Sequence, residues 1–289
     1  MVRTNGRGHW LHARSSHIEP LKRFLLPREA GCVTVTEALP GSPEKTGRRN
    51  GRFTVFARDD RVEATVFHTG GGFVFPVLPE DGAPDPRALS RKLRGVRNRL
   101  FCVMGLDRDV CGLQRLLSTT PLDTVNYYLM TRTCATPIDP EPLPEGMTIR
   151  RAGIRDAEAL YPIQREYEIE EVVLRPESFD PASCMSHLKM SLRKQLVYAV
   201  EYDGKMVGKA QTNARGFSWD QIGGVYTERP LRGRGIAGAV MYRLLRDIER
   251  DGRHSSLFVK RHNEPALRMY RRLGYSVTDE FTIAYYRGI

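Results

Sequence analysis

One segment restricts the fold of this sequence more than any other: a short strand pattern, a loop rich in glycine and arginine, and an amphipathic helix in direct succession. Residues 221–227 read QIGGVYT and predict a strand, and residues 229–238 read RPLRGRGIAG. Apolar residues then recur at steps of three and four from Ile236 to Ile248, which predicts one buried helix face. Because glycine weakens helices and loosens loops, the three glycines of this loop indicate a backbone that must bend and stay accessible.

An accessible backbone between a strand and a helix is suited to bind an anion. The first N–H groups of a helix lack intrahelical partners and lie at the positive end of its dipole. Arg232 and Arg234 add positive charge and forked donors for phosphate oxygens. A tight turn with solvent-facing arginines is the alternative, but one glycine would suffice for that turn. The sequence therefore predicts a phosphate site at this loop.

The same glycines, Gly233, Gly235 and Gly238, also fit the dinucleotide pattern G-x-G-x-x-G. A dinucleotide-binding fold places this motif early in the chain and an acidic residue about 20 positions later. Here residues 259–262 read VKRH, and arginine would suit a 2′-phosphate, so an NADP reductase stays open at this point. The strands before the motif read as hairpins rather than βαβ units, which argues against that reductase.

A proline-rich segment divides the chain. Residues 136–146 read TPIDPEPLPEG, and proline removes backbone donors and stiffens the chain. We predict domains over residues 1–135 and 146–289, joined by a linker over residues 136–145. Each domain begins with strands joined by short turns and continues with helices between strands, which predicts an α+β fold with a mixed sheet.

Composition bounds the class of protein. The net charge is +11, but the arginines are spread along the chain without a zinc-finger or RNA-binding motif, so nucleic acid is not the expected partner. The five cysteines lack C-x-x-C spacing, which predicts neither disulfides nor a metal site. No apolar run approaches the roughly 20 residues of a membrane helix, and the basic N-terminus lacks the apolar core of a secretory signal. We expect a cytoplasmic protein without a membrane segment.

Two motifs of the second domain together resemble the GNAT superfamily, the Gcn5-related N-acetyltransferases. Residues 232–237, RGRGIA, follow a strand, open a helix and fit the family pattern Arg/Gln-x-x-Gly-x-Gly/Ala. Residues 263–275, NEPALRMYRRLGY, fit the family segment Asn-x-x-Ala-x-x-x-Tyr-x-x-x-Gly-aromatic. The resemblance covers residues 146–289. It implies the GNAT fold for that domain and acetyl-CoA as the co-substrate.

The resemblance also implies which residues bind the coenzyme. The loop amides hold the pyrophosphate, and the exposed backbone of a splayed strand, bulged at Gly223 and Gly224, pairs with the pantetheine arm. The coenzyme-binding residues predicted in this way are Val225, Tyr226, Thr227, Arg232, Gly233, Arg234, Gly235, Ile236, Ala237, Gly238 and Asn263. Tyr270 is predicted to be catalytic, because a tyrosine at this place in the family protonates the leaving thiolate. The alternative for Tyr270 is a residue that only packs inward from its helix.

The sequence identifies the general base and the acceptor-binding residues less clearly than the coenzyme-binding residues. Family members often carry an acid on the strand before the loop, which implies Asp220 as a catalytic base. Glu170 and Glu171 are predicted to line the acceptor cleft and bind substrate. The alternative for each of these residues is a solvated surface acid. Lys209 alternates with Gln211 in a hairpin strand, and the sequence leaves open whether it reaches an acidic acceptor or faces solvent.

The first domain repeats the order of predicted elements of the second. Residues 77–89, VLPEDGAPDPRAL, stand where a phosphate loop would be, with prolines in place of a glycine–arginine run. We interpret residues 1–135 as a smaller, degenerate GNAT-like half that resembles a decayed duplicate and is unable to bind coenzyme A. An unrelated α+β domain is the alternative.

These observations predict an acetyl-CoA-dependent N-acetyltransferase that transfers the acetyl group directly to a primary amine. No cysteine or serine lies in the setting of a nucleophile, so no acyl-enzyme is expected. The acceptor is a small-molecule or peptide amine, and neither it nor the oligomeric state can be identified from the sequence. The alternative is a non-catalytic acyl-CoA-binding sensor or adaptor whose basic surface binds nucleic acid or a protein partner.

Overall fold

The computed structural model describes residues 8–39, 51–140 and 142–286, and the chain divides into two compact units. The first unit holds the described residues up to Tyr128 and from Asp279 onward, and the second holds those from Leu129 to Thr278. Within the described residues, no helix is long and apolar enough to cross a membrane. Residues 1–7, part of the basic N-terminus considered above, lie outside the described ranges.

Helices and strands are mixed along the described chain. The elements up to the unit division are β1 (His9–His12), α1 (Ile18–Leu25), α2 (Val33–Ala38), β2 (Arg52–Arg58), β3 (Arg61–His68), β4 (Phe73–Val77), α3 (Pro86–Lys92), α4 (Arg94–Arg97), β5 (Cys102–Leu106), α5 (Asp107–Leu117) and β6 (Asp123–Arg132). The elements that follow are β7 (Met147–Arg151), α6 (Ala157–Tyr167), α7 (Pro181–Lys194), β8 (Val197–Tyr202), β9 (Lys205–Arg215), β10 (Trp219–Thr227), α8 (Ile236–Arg250), β11 (His254–Lys260), α9 (Glu264–Arg272) and β12 (Ser276–Tyr285).

Each unit contains a mixed sheet. The first unit has the strand order β1-β2-β3-β4-β5-β12, in which β4 and β5 are parallel and the other recorded pairs are antiparallel. The second unit has the order β6-β11-β10-β9-β8-β7, in which β10 and β11 are parallel and β7 to β10 form an antiparallel meander. The predicted α+β class with a mixed sheet is confirmed.

The division between the units differs from the predicted domains of residues 1–135 and 146–289. It falls inside β6, between Tyr128 and Leu129, rather than in the proline-rich segment. It also assigns the described residues from Asp279 to Tyr286 to the first unit, in which residues 281–285 of β12 pair with β5. The proline-rich segment predicts a linker, but no local pattern shows that β6 spans the division between the units.

Local sequence signals explain the elements that surround the loop. Asn263 caps α9 by accepting a hydrogen bond from the amide of Ala266 at 3.2 Å, and Gly274 follows that helix with φ of +81°. Asp180 caps α7 in the same way, through the amide of Ala182 at 3.0 Å. These contacts fix where the helices of the second unit begin.

The predicted apolar face of α8 is buried against the sheet of the second unit. Its side chains are at most 1 % exposed at Ile236, Val240, Met241, Leu244, Leu245 and Ile248. Burial of one such side chain contributes about 1.5–3 kcal/mol, so this face anchors the helix strongly. The first turn of α8 is therefore held in place directly after the loop that leaves β10.

The corresponding helix start in the first unit is closed. Asp85, with φ of +40°, precedes α3 and accepts a hydrogen bond from the amide of Ala88 at 3.1 Å. Pro86 occupies the first helical position and has no N–H group. An anion at this helix start would therefore find the N–H of Ala88 occupied and none at Pro86. This agrees with the interpretation that the first half has no phosphate loop.

Candidate active site

The strands β10 and β11 stop pairing midway. Their parallel register runs from Trp219 with His254 to Ile222 with Leu257, although β10 continues to Thr227. β11 also continues, to Lys260, so both strands carry unpaired backbone donors and acceptors beyond the last pair. The residues after Ile222 therefore face a gap beside β11, as the predicted splayed strand requires.

A bulge in β10 lies at the beginning of this gap. The register with β9 shifts between the pair Gly223 with Gln211 and the pair Tyr226 with Lys209, so that one more residue of β10 than of β9 lies between them. Gly224 has φ of +57°, in the left-handed region that glycine tolerates best. The bulge predicted from the paired glycines is present.

Both glycines of the bulge are required by their surroundings. A Cβ atom at Gly223 would overlap the side-chain amide of Asn213. A Cβ atom at Gly224 would lie 2.7 Å from Nζ of Lys209 and 2.8 Å from Cδ of Gln211. Polar side chains of β9 therefore pack directly against the bulged backbone.

The glycine–arginine loop is open. Gly233 and Gly235 have φ of +79° and +80°, and Gly235 is the residue directly before α8. A Cβ atom at Gly233 would meet nothing within 4 Å, and one at Gly235 would meet only the carbonyl oxygen of Pro142, at 3.7 Å. Among the described residues, none accepts a hydrogen bond from the amides of residues 233–238. This arrangement fits a diphosphate, which needs several converging amides and room for tetrahedral groups.

Arg232 is already engaged by a carboxylate. Its guanidinium group donates to both oxygens of Glu170, at 2.8 and 3.0 Å, and Nε donates to the carbonyl oxygen of Thr227 at 3.0 Å. Arg229 adds a contact to the same carboxylate at 3.2 Å. The hydrogen bond from Arg232, followed by that from Arg229, lowers the pKa of Glu170 to about 2. Glu170, predicted on the acceptor side, thus lies against a residue of the loop, while Arg234 is exposed.

The other predicted acids are also paired with cations. Asp220 is completely buried and forms ion pairs with Arg215 at 3.2 Å and with Arg253 at 2.8 Å. Its lone pairs are used inside the protein, which argues against the predicted role of general base and favours a structural one. Glu171 pairs with Lys260 at 2.9 Å.

Tyr270 is buried and electrically neutral at ordinary pH. Its side chain is 8 % exposed, and burial raises the pKa of its phenol, so it keeps the proton that a general acid must donate. The ring of Tyr275 lies 5.9 Å from that of Tyr270, and Glu171 also contributes to the raised pKa of Tyr270. Tyr275 donates to or accepts from Ser255 at 2.7 Å, whereas no described residue bonds to the hydroxyl of Tyr270.

Lys209 is the feature that the sequence analysis did not foresee. It is completely buried, and Nζ donates to the carbonyl oxygen of Gly224 at 3.0 Å and to Oε1 of Gln211 at 3.1 Å. The ring of Tyr167 lies 4.6 Å from Nζ. Burial lowers the pKa of Lys209 to about 7, although Glu168 and Cys184 oppose that shift. Lys209 does not face solvent, so that expectation was wrong.

We expect this buried amine to impose a pH dependence on stability. The pKa of Lys209 is lowered in the folded protein, so unfolding takes up a proton between about pH 7 and the ordinary lysine pKa. The free energy of unfolding should therefore rise with pH in that window, by at most about 1.4 kcal/mol per pH unit from this group. Urea denaturation of the wild type and of Lys209→Met from pH 7 to 9.5 should show a smaller slope in the variant. Lys205→Met, an exposed lysine of the same strand, is the control, and equal slopes in all three proteins would contradict the prediction.

Comparison with known proteins agrees with this arrangement. Residues 157–275 match the model of the Acetyltransferase (GNAT) family. No curated protein sequence matches the chain. The matched segment contains the glycine–arginine loop, α8, β11, α9, Tyr270 and Tyr275.

Three solved structures show the likeness in fold over nearly the whole chain. A Drosophila protein aligns with a TM-score of 0.66 at 13 % identity, covering 96 % of this chain and 99 % of its own. A tandem GNAT protein from the clavulanic acid biosynthesis pathway aligns with a TM-score of 0.59 at 13 % identity, covering 96 % and 98 %. A GCN5-related N-acetyltransferase from Sphaerobacter thermophilus aligns with a TM-score of 0.59 at 20 % identity, covering 98 % and 97 %.

The coverage of these alignments includes both units, so the predicted GNAT-like fold of the first half is confirmed together with that of the second. At these identities the alignments establish the fold alone. Residues 157–275 are a domain of the GNAT acetyltransferase family, within a chain whose two units have the fold of tandem GNAT proteins.

Proposed function

We propose that the second unit is an acetyl-CoA-dependent N-acetyltransferase that transfers the acetyl group directly to a primary amine. The observation that carries this proposal is the combination of an open glycine loop at the start of α8 with a gap beside β10. The two lie next to each other in the chain, at residues 223–227 and 233–238. A coenzyme with a diphosphate at one end and a thioester at the other suits such a pair of sites.

The loop and the strand edge have separate tasks. The amides of residues 233–238, with Arg234 nearby, hold the diphosphate at the positive end of the α8 dipole. The backbone of residues 225–227 pairs with the amide-containing pantetheine arm as an added strand would. When bound, the coenzyme supplies an activated acetyl group as a thioester.

The residues of the chain then assist the transfer. The amine nitrogen attacks the carbonyl carbon, the carbon–sulfur bond breaks, and the acetyl group becomes an amide. A backbone N–H beside the bulge stabilises the negative charge that develops on the carbonyl oxygen. Tyr270 donates its proton to the leaving thiolate, and the amine loses its own proton to a water molecule, since the predicted acids are paired with cations.

The acceptor is a small-molecule or peptide amine, and the donor is acetyl-CoA. We assign the acid-rich turn after α6, residues 168–172, to the acceptor side. Its carboxylates at Glu170 and Glu171 are neutralised by the protein's own cations, so they offer little net attraction to a highly charged polyamine.

Coenzyme binding is the first test. Isothermal titration with acetyl-CoA should give micromolar binding to the wild type, and Gly233→Glu should abolish it, because a carboxylate would repel the diphosphate from the loop. Gly252→Glu is a matched control, since Gly252 also has a positive φ, of +68°, and open space around its Cβ position. Absence of binding to the wild type at millimolar coenzyme would rule out the proposed function.

Glu170 should compete with the diphosphate for Arg232. Glu170→Gln removes the charge that holds the guanidinium group, so we expect acetyl-CoA to bind several-fold more tightly, by about 1 kcal/mol. The same titration measures this effect. Glu171→Gln, whose partner Lys260 is outside the loop, should leave the affinity unchanged. A weaker or equal affinity of Glu170→Gln would show that Arg232 takes no part in holding the coenzyme.

Turnover tests the role of Tyr270. A panel of amines, with release of free thiol as the signal, identifies an acceptor for the wild type. Tyr270→Phe should then lose turnover by about 10²-fold or more while it binds acetyl-CoA normally, because only the phenolic proton is removed. Tyr275→Phe is the control, since its hydroxyl is bonded to Ser255. Equal turnover in Tyr270→Phe and the wild type would discard the role.

A second function is favoured by one observation. Every carboxylate predicted to act in the reaction, at Asp220, Glu170 and Glu171, is paired with a cation. A non-catalytic acyl-CoA sensor would need no base. Coenzyme binding without thiol release for any amine, together with salt-dependent binding of nucleic acid or a partner, would favour the sensor over the enzyme.

A further inference from the structure

The buried lysine of β9 has no task in the transfer as described so far. Lys209 is completely buried, and its pKa is lowered by that burial, so it destabilises the fold relative to an apolar residue of similar length. Its contacts are therefore informative. Nζ lies against the bulge of β10, at Gly224, and against Gln211 and the ring of Tyr167.

Both backbone groups of the bulged glycine are bound by side chains. Nζ of Lys209 donates to the carbonyl oxygen of Gly224 at 3.0 Å. The amide of Gly224 donates to the phenol of Tyr167, at the end of α6. A bulged residue lies outside the regular ladder of the sheet, so these two side chains supply the partners that a neighbouring strand would otherwise provide.

The contact with Lys209 fixes more than one residue. The carbonyl group of Gly224 and the N–H group of Val225 belong to one planar trans peptide, in which they point in opposite directions. Because the carbonyl is held toward Nζ of Lys209, the N–H of Val225 points away from that amine. Strand β11 is the neighbour of β10 on the side opposite β9, and there the two strands have parted.

Space around the bulge supports the same conclusion. Nζ of Lys209 and the side chain of Gln211 fill the positions that a side chain at residue 224 would take. The glycine and the lysine are thus complementary in shape as well as in hydrogen bonding. An apolar side chain at position 209 would fill the space but leave the carbonyl of Gly224 without its donor.

We propose that Lys209 is a positioning residue that fixes the Gly224–Val225 peptide, so that the N–H of Val225 is presented to the acyl carbonyl of the bound thioester. The inference rests on the proposed function, because the thioester belongs to that proposal. Lys209 itself touches neither coenzyme nor acceptor and acts through the backbone of β10. The ring of Tyr167, at the end of α6, lies 4.6 Å from the same Nζ atom.

Coenzyme A and acetyl-CoA separate this role from a general one in folding. The two ligands share the diphosphate and the pantetheine arm and differ only in the acetyl group. In Lys209→Met, the ratio of the dissociation constants of acetyl-CoA to coenzyme A should rise at least fivefold over the wild-type ratio. Affinity for coenzyme A itself should change less than twofold. Lys205→Met, on an exposed position of the same strand, should keep the wild-type ratio.

Two further measurements keep the result decisive. Lys209→Gln retains an N–H donor and should recover part of the wild-type ratio, which a loss of packing alone would not explain. Hydrogen exchange of the peptide that contains residues 223–227 should be faster in Lys209→Met than in Lys205→Met, and this measurement needs no ligand. An unchanged ratio and unchanged exchange in Lys209→Met would overturn the inference, whereas failure of the wild type to bind either ligand would overturn the proposed function instead.

Discussion

The burial of one face of α8 is the constraint on which the candidate site depends. A glycine-rich loop has little structure of its own, because glycine loses more conformational entropy on folding than any other residue. Here the loop is short and is tied at both ends, by the sheet at β10 and by the apolar side chains of α8. The first helical turn is thereby held in position, and the Cβ positions of Gly233 and Gly235 directly before it are open.

Charge is distributed around this loop by internal pairing. Glu170, Glu171 and Asp220 are each bound to at least one cation of the second unit. Such pairs cancel much of the negative potential that these acids would otherwise direct at the loop. The helix dipole and the exposed Arg234 then dominate the local field, which is positive and suited to a polyanion.

Patterns of local sequence predicted most of the fold. The period of α8, the cap at Asn263 and the paired glycines of β10 each depend on neighbours within a few residues, and the structure has all three. Roles that depend on distant partners were harder to foresee. Asp220 lies in a strand, and nothing near it in sequence shows that Arg253 will bind it at 2.8 Å. Lys209 was likewise ambiguous, since alternation in a strand gives a face but not what covers that face. The glycine pair opposite it was the only available signal.

The two units differ in what binds the first N–H groups of a helix that follows a strand. In each, a helix begins after a strand of a mixed sheet, and its first amides need partners. In the first unit, Asp85 accepts from one N–H group at the start of α3 and Pro86 lacks one, so this helix start needs no ligand. In the second, no described residue accepts a hydrogen bond from the amides at the start of α8, and an anion bound there would supply these contacts. A protein built in this way should become more resistant to heat as its ligand concentration rises, and only in the half that was left open.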